Sequence, residues 1–195
     1  MLWGTVLMSF TKLTDDDKQT LLDVAKSSIQ HGLKNQHPLP VVLNEYNQLL
    51  NEPGASFVTL KLNHQLRGCI GILEAFQPLV ADVSEHAYAA AFKDPRFSPL
   101  IENEFEKLEV HISILTKSTA IDFSDEEDLL RKLRPGIDGL ILQEGSHRAT
   151  FLPSVWEQLP TSKDFLNHLK MKAGLDEHYW SRNIDISRYQ TISFS

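Results

Sequence analysis

The only cysteine of the chain lies in the hexapeptide Leu66–Gly71, LRGCIG, two residues after Arg67 and between two glycines. A cysteine acts as a nucleophile in its thiolate form, which a nearby cation stabilises. Residues two apart in a β-strand lie on the same face, about 6.5–7 Å apart, so we expect Arg67 beside Cys69. Gly68 and Gly71 would let a substrate or another backbone approach closely. Three interpretations remain open: a catalytic or redox thiol, a noncovalent ligand site, and a packed strand in which the cysteine is buried.

A nucleophilic cysteine also requires a base. Candidate bases are His64, His86, His111, His147 and Glu109. The strand predicted at 108–115 places Glu109 and His111 on its polar face, so both could converge on Cys69 if the two strands are neighbours. The alternative is a solvated sheet face, which is common in antiparallel sheets. We take Cys69 and Glu109 as the candidate catalytic residues.

A second candidate is the tetrapeptide Asp94–Phe97, DPRF, which follows a predicted helix. Loops often carry functional residues, and the planar guanidinium of Arg96 suits a carboxylate or a phosphate. Phe97 could stack on a ligand ring. The structural alternative is an ion pair between Asp94 and Arg96 with Phe97 in the core, and for Phe97 we favour the core. The candidate ligand-binding residues are Arg67, Gly68, Gly71, Arg96 and Phe97.

Several classes of function receive no support from the sequence. The eight histidines show no compact metal-binding spacing, and one cysteine cannot hold an iron–sulfur cluster. Phosphate-binding glycine motifs and GxSxG are absent, so we predict no metal and no cofactor. The formal charge of -7 argues against nonspecific nucleic-acid binding. The lack of a membrane-length apolar run and of paired cysteines favours the cytoplasm.

Apolar periodicity predicts an α+β fold with a mainly antiparallel sheet flanked by helices. The helices are expected at about 15–31, 78–92, 124–133 and 162–173, and the strands at about 56–62, 66–73, 108–115, 139–143, 148–152 and 187–194. In the strand at 66–73, alternation groups Leu66 with Gly68 on one face and Arg67 with Cys69 on the other.

Five segments occur in the order and spacing of the AMMECR1-like proteins. They are LRGCIG at 66–71, AAFKDPRFSP at 90–99, LEVHISIL at 108–115, GIDGLIL at 136–142 and ATFLP at 149–153. The chain resembles the bacterial branch of that family, called protein A of the AmmeMemoRadiSam system. Position 111 is usually a small residue in this kind of strand, so His111 is a departure, and Glu109 is the better residue to carry over.

The resemblance implies one AMMECR1-like domain over residues 9–195, preceded by an extension at 1–8. It implies a larger and a smaller subdomain with the LRGCIG strand at the cleft between them, and the element pattern suggests that the segment at about 94–133 forms part of the smaller one. It implies no particular reaction, and its implied partners are a Memo-like protein and a radical SAM protein. We therefore expect an enzyme or enzyme component that binds a small anionic or nucleotide-like ligand; the alternative is a noncatalytic adaptor or ligand-binding module.

Overall fold

The computed structural model describes residues 12–195, so the predicted extension at 1–8 lies outside the described residues. The fold is α+β, as predicted. The helices are α1 (Asp15–Asn35), α2 (Leu79–Phe92), α3 (Glu102–Phe105), α4 (Glu126–Lys132) and α5 (Ser162–Lys172), with 3₁₀ turns at Leu43–Glu45 and Pro153–Glu157. The strands are β1 (Pro53–Gly54), β2 (Ser56–Leu62), β3 (Gln65–Gly71), β4 (Gln77–Pro78), β5 (Leu108–Leu115), β6 (Thr119–Ala120), β7 (Gly139–Glu144), β8 (His147–Phe151), β9 (Asp185–Tyr189) and β10 (Thr191–Phe194). No helix within residues 12–195 has the length and apolar character needed to cross a membrane.

The chain divides into two compact units. Among the described residues, the larger unit contains residues 12–115 and Ile192–Ser195, and the smaller contains Thr116–Thr191. The segment 94–133, which the sequence suggests as a smaller lobe, draws residues from both units. The candidate catalytic and ligand-binding residues all belong to the larger unit, whereas the candidate base His147 belongs to the smaller unit.

The larger unit packs two helices on one face of a four-stranded sheet in the order β10-β5-β2-β3. Strand β2 pairs antiparallel with both β3 and β5. Alternate residues such as Val58, Leu60 and Ile112 are fully buried in the core with apolar residues of α1 and α2. The intervening residues of β2 and β5 therefore form a second, more polar face of the same sheet.

Helix α1 begins with a capping box, in which the Thr14 hydroxyl accepts from the Asp17 backbone and the Asp17 carboxylate accepts from the Thr14 backbone. It ends at Asn35, about one turn beyond the predicted end. Gly32 does not terminate it. A Cβ at Gly32 would lie 2.6 Å from both Tyr88 and Phe92, so this glycine permits close packing of α1 on α2.

The smaller unit has its own four-stranded sheet, in the order β6-β9-β7-β8, and its own core. Leu140 and Leu142 of β7 and Ile186 of β9 are buried with Leu129 of α4 and Phe165 of α5. The ring of Phe165 also stacks on Trp156, with centroids 3.8 Å apart.

The alternating tail at 187–194, predicted as one strand, forms two strands. Strand β9 belongs to the sheet of the smaller unit and β10 to the sheet of the larger unit. Gln190 separates them, and its backbone N–H donates to the Thr116 hydroxyl at 2.8 Å. Alternation alone predicts the extended conformation but does not show where a chain leaves one sheet for another.

Candidate functional site

The Cys69 thiol lies in a row of side chains on the polar face of the larger unit's sheet. Thr59 of β2 pairs with Cys69 of β3 on one side and with His111 of β5 on the other. Paired residues in antiparallel strands point to the same face, so the three side chains form one row. The Thr59 hydroxyl donates to the Cys69 Sγ at 3.1 Å, and Cys69 is half-buried. The sulfur is therefore neither sealed in the core nor free of contacts.

His111 occupies the far end of this row. Burial lowers the pKa of its imidazole, and the positive charge of Lys61 lowers it further. The Glu109 carboxylate acts in the opposite direction but does not cancel this lowering. Its Nε2 is buried and, among the described residues, has no hydrogen-bond partner, although Glu109 Oε2 lies 3.9 Å away. A buried polar atom of this kind usually has a partner in protein or solvent, so this nitrogen is a candidate contact for a bound molecule.

Glu109 does not lie beside Cys69. The strand order places β2 between β3 and β5, and Glu109 pairs with Lys61 rather than with the Cys69 row. Its carboxylate accepts from the His64 backbone N–H at 3.3 Å and lies 3.0 Å from the His64 Nδ1. His64 follows Asn63 in the β2–β3 turn, and both have positive φ, as a type I′ hairpin turn requires. In the structure, Glu109 thus stabilises the turn between β2 and β3 through its contacts with His64.

Arg67 interrupts the predicted alternation of β3. Leu60 pairs with Gly68 and Lys61 with Leu66, so Arg67 is the extra residue of a β-bulge and faces no residue of β2. The prediction that Leu66 and Gly68 share a face is therefore wrong, because Lys61 and Leu60 point to opposite faces. Arg67 donates Nε and Nη2 to the two oxygens of Glu104, each at 2.9 Å. This bidentate pair lowers the pKa of Glu104.

The open edge of β3 is occupied at Cys69 by an ion pair. The Asp94 carboxylate accepts the Cys69 backbone N–H at 2.8 Å, and Arg96 Nη2 donates to the Cys69 carbonyl at 3.2 Å. Arg96 also donates Nε and Nη2 to Asp94, at 2.9 and 2.6 Å. The hydrogen bonds from Arg96 hold the pKa of Asp94 far below its usual range despite its burial. The two side chains take the place of a neighbouring strand at this one residue.

Phe97 lies between the two arginines rather than in either hydrophobic core. The guanidinium carbons of Arg67 and Arg96 lie 5.9 and 5.5 Å from the centroid of its ring. Contacts of this kind are cation–π interactions. The ring therefore links the two ion pairs next to β3, and it is half-buried.

The glycines of the hexapeptide serve close packing in this structure. A Cβ at Gly68 would lie 2.1 Å from the backbone oxygen of Ala90 in α2, and a Cβ at Gly71 would lie 2.4 Å from Ser56 O and from the Phe57 ring. Both spaces are filled by neighbouring protein atoms. Of the two approaches that the sequence allows at Gly68, that of another backbone is the one observed.

Sequence reasoning missed Thr59 and Glu104. Thr59 alternates with the core residues Val58 and Leu60, which indicates a polar-face position, but only the strand pairing shows that it adjoins the thiol. Glu104 lies in the four-residue helix α3, and nothing in its sequence context indicates Arg67 as its partner. Among residues 12–195, no three His, Cys, Asp or Glu side chains are arranged to hold a metal ion.

Comparison with known proteins identifies the family of this chain. The sequence profile of the AMMECR1 family matches residues 22–194. The chain belongs to the AMMECR1 family. Among similar proteins, protein MJ0810 of Methanocaldococcus jannaschii is 36% identical over 79% of each chain. Protein SSO0193 of Saccharolobus solfataricus is 34% identical over 96% of this chain and 85% of its own.

A crystal structure is also similar to this AMMECR1-family chain. Protein PH0010 from Pyrococcus horikoshii superposes with a TM-score of 0.82 at 29% identity, covering 93% of this chain and 92% of its own. The similarity extends over both units, because it covers nearly the whole chain. The family resemblance of the five sequence segments is thereby confirmed.

Proposed function

We propose that this AMMECR1-family protein binds a small ligand with an anionic group on the polar face of the larger unit's sheet, over the row Cys69, Thr59 and His111. The observation that carries the proposal is the buried Nε2 of His111, which has no hydrogen-bond partner among the described residues. This nitrogen belongs to the same row as the half-buried Cys69. Leaving a buried polar atom unpaired costs about 1–3 kcal/mol. An uncharged polar group of the ligand that bonds to Nε2 would recover this energy, while the anionic group of the ligand lies toward Cys69.

The neighbouring charges favour an anionic group. Lys61 lies on the same face, two residues along β2 from Thr59, and it is close enough to lower the pKa of His111. Glu109, the carboxylate opposite Lys61, accepts from the His64 backbone N–H, but its Oε2 also lies 3.9 Å from His111 Nε2 and would repel an anion at that end of the row. The Cys69 sulfur would then lie at the opposite end of the row from His111, where it could react with the bound ligand. The role of the protein as an enzyme or enzyme component depends on that reactivity.

The single cysteine allows a direct test. We expect iodoacetamide to alkylate Cys69 in the folded protein, and inorganic phosphate, pyrophosphate or AMP to slow the alkylation. At ten times its dissociation constant, a protecting ligand should slow the reaction about tenfold, because only the unoccupied protein reacts. The rate is measured by mass spectrometry against N-acetylcysteine under the same conditions.

His111→Gln is the informative variant for this experiment. It should keep the alkylation rate of the free protein but weaken protection by AMP, since one ligand contact is removed. A matched control is His178→Gln, which alters a histidine whose side chain is 81% exposed in the smaller unit. The proposal is overturned if none of the three anions protects Cys69, or if alkylation occurs only after unfolding.

A second candidate function is a noncatalytic adaptor that binds a Memo-like protein or a radical SAM protein. Its support is two exposed apolar side chains on residues that adjoin Arg67 or Glu104. Leu66 precedes Arg67 and is 45% exposed, while Ile101, whose backbone N–H donates to Glu104, is 59% exposed. Neighbouring exposed apolar residues are typical of protein interaction sites.

The adaptor role predicts that Leu66→Glu together with Ile101→Glu abolishes co-purification with the Memo-like or radical SAM protein of the same genome. Both residues are exposed, so the fold should be retained. Val42→Glu is a matched control, because Val42 is 53% exposed elsewhere on the larger unit. Equal recovery of the partner with wild type, the double variant and the control would exclude this surface.

A further inference from the structure

We propose that Arg96, rather than Arg67, binds the anionic group of the ligand, which is a phosphate or a carboxylate. This inference rests on the proposed function and assigns the residue that selects the charge of the ligand. Both arginines form an ion pair with a carboxylate, so formal charge does not distinguish them. What distinguishes them is the orientation of each pair toward solvent.

The Asp94–Arg96 pair directs its positive end outward. The Asp94 side chain is 2% exposed, whereas the Arg96 side chain is 54% exposed. A charge at the surface interacts with a solute over a short distance, while the buried charge lies farther from it. An approaching anion therefore meets the guanidinium first, although the pair as a whole is neutral.

The Arg67–Glu104 pair has no such orientation. The Arg67 side chain is 13% exposed and the Glu104 side chain is 22% exposed. Its carboxylate is at least as accessible as its guanidinium, so the pair does not attract an anion from solvent. Arg67 Nη1 is buried and, in the described part of the chain, unpartnered, like His111 Nε2, but the accessible Glu104 carboxylate would repel an anion that approaches this pair.

Arg96 retains donors for a ligand. Its Nε and Nη2 are used by Asp94 and by the Cys69 carbonyl. No described residue accepts a hydrogen bond from Nη1, whose two N–H groups remain available to an anion. Carboxylates and phosphates both match this arrangement, because a guanidinium donates to their oxygens through charge-assisted hydrogen bonds.

The position of Arg96 relative to the thiol is fixed by the backbone of Cys69. Asp94 and Arg96 together bind the N–H and the carbonyl of this residue, and Asp94 is almost fully buried. The guanidinium cannot move far without breaking several hydrogen bonds. The hydrogen bond to Asp94 raises the pKa of Arg96 most, and a negative charge on Cys69 would raise it further. An anion held by Arg96 would thus lie near the sulfur.

The test compares two alkylating reagents that differ in charge. Iodoacetate and iodoacetamide transfer groups of similar size to the same sulfur, with iodide as the leaving group. The ratio of their rate constants at Cys69, divided by the same ratio for N-acetylcysteine, reports the preference for an anion. We expect wild type to favour iodoacetate by about threefold, the effect of a partly screened charge within several ångströms.

Arg96→Gln should abolish this preference, Arg96→Lys should retain part of it, and Arg67→Gln should leave it unchanged. Melting temperatures establish that each variant is folded at the temperature of the assay. The assignment is overturned if wild type shows no preference for iodoacetate, or if Arg67→Gln removes the preference as completely as Arg96→Gln. Rescue by Arg96→Lys separates the charge from a purely structural role.

Protection experiments separate this inference from the proposed function. If phosphate protects Cys69 equally in wild type and Arg96→Gln, the ligand site stands and the assignment to Arg96 falls. If iodoacetate is preferred through Arg96 but no anion protects Cys69, the assignment of the charge stands and the proposed function falls. Acetate and phosphate, tested in parallel, distinguish a carboxylate from a phosphate ligand.

Discussion

Gly68→Ala should destabilise the larger unit by about 3 kcal/mol, at the upper end of the cost of overpacking a core. The added Cβ would lie 2.1 Å from the Ala90 oxygen. That oxygen belongs to the backbone of α2, so relief requires the helix or the strand to move. Intrinsic preference alone predicts the opposite sign, since alanine is favoured over glycine in a strand by roughly 0.5–1 kcal/mol. The steric term is larger and decides the result.

Urea denaturation followed by circular dichroism measures this loss. Gln65→Ala is the matched control, because Gln65 is exposed in the same strand and such substitutions usually change stability by within about 0.5 kcal/mol. A Gly68→Ala variant as stable as Gln65→Ala would contradict the close approach of β3 to α2. It would also reopen Gly68 as a point of ligand contact.

The sequence predicts individual strands well where their alternation is uninterrupted. Strands β2 and β5 have the predicted bounds, 56–62 and 108–115, because apolar and polar residues alternate through both. The same pattern predicts which residues of these strands face the helices and which lie on the polar face. Cys69 is accordingly found on the polar face of the sheet, paired with Thr59.

The arrangement of the strands is not encoded in their alternation. Whether β5 neighbours β3 or β2 depends on long-range pairing, and this choice separates Glu109 from Cys69. The bulge at Arg67 depends on local pairing that periodicity does not indicate, and it leaves Arg67 without a partner residue on β2. Fold class was therefore predictable, whereas the composition of the site was not.

The Asp94–Arg96 ion pair is expected from the sequence only as a structural alternative. Adjacency in sequence suggested that Asp94 would bind Arg96, and the structure contains this pair. The pair is not limited to a structural role, because its carboxylate is buried while its guanidinium is exposed to solvent and accessible to a ligand. Exposure, which the sequence does not report, distinguishes Arg96 from Arg67 as a possible ligand contact.

Asp138→Asn should destabilise the smaller unit by about 3 kcal/mol, the lower end of the range for breaking a buried ion pair. Asp138 is fully buried and accepts from Arg134 Nε at 3.0 Å and from Arg188 Nη1 at 3.2 Å. The substitution preserves the shape of the side chain but removes the charge that two guanidinium groups share. Arg134 and Arg188 are 45% and 23% exposed, so partial hydration limits the loss.

Asp128→Asn provides a matched control in the same unit. Asp128 also binds two cations, Arg131 at 3.3 Å and Lys132 at 2.8 Å, but at the surface. Exposed ion pairs contribute little to stability, so this variant should lose much less than Asp138→Asn. Tryptophan fluorescence is a suitable probe, because Trp156 Nε1 donates to the Asp138 carbonyl at 2.7 Å. Equal losses in the two variants would show that burial of the shared carboxylate does not stabilise the unit.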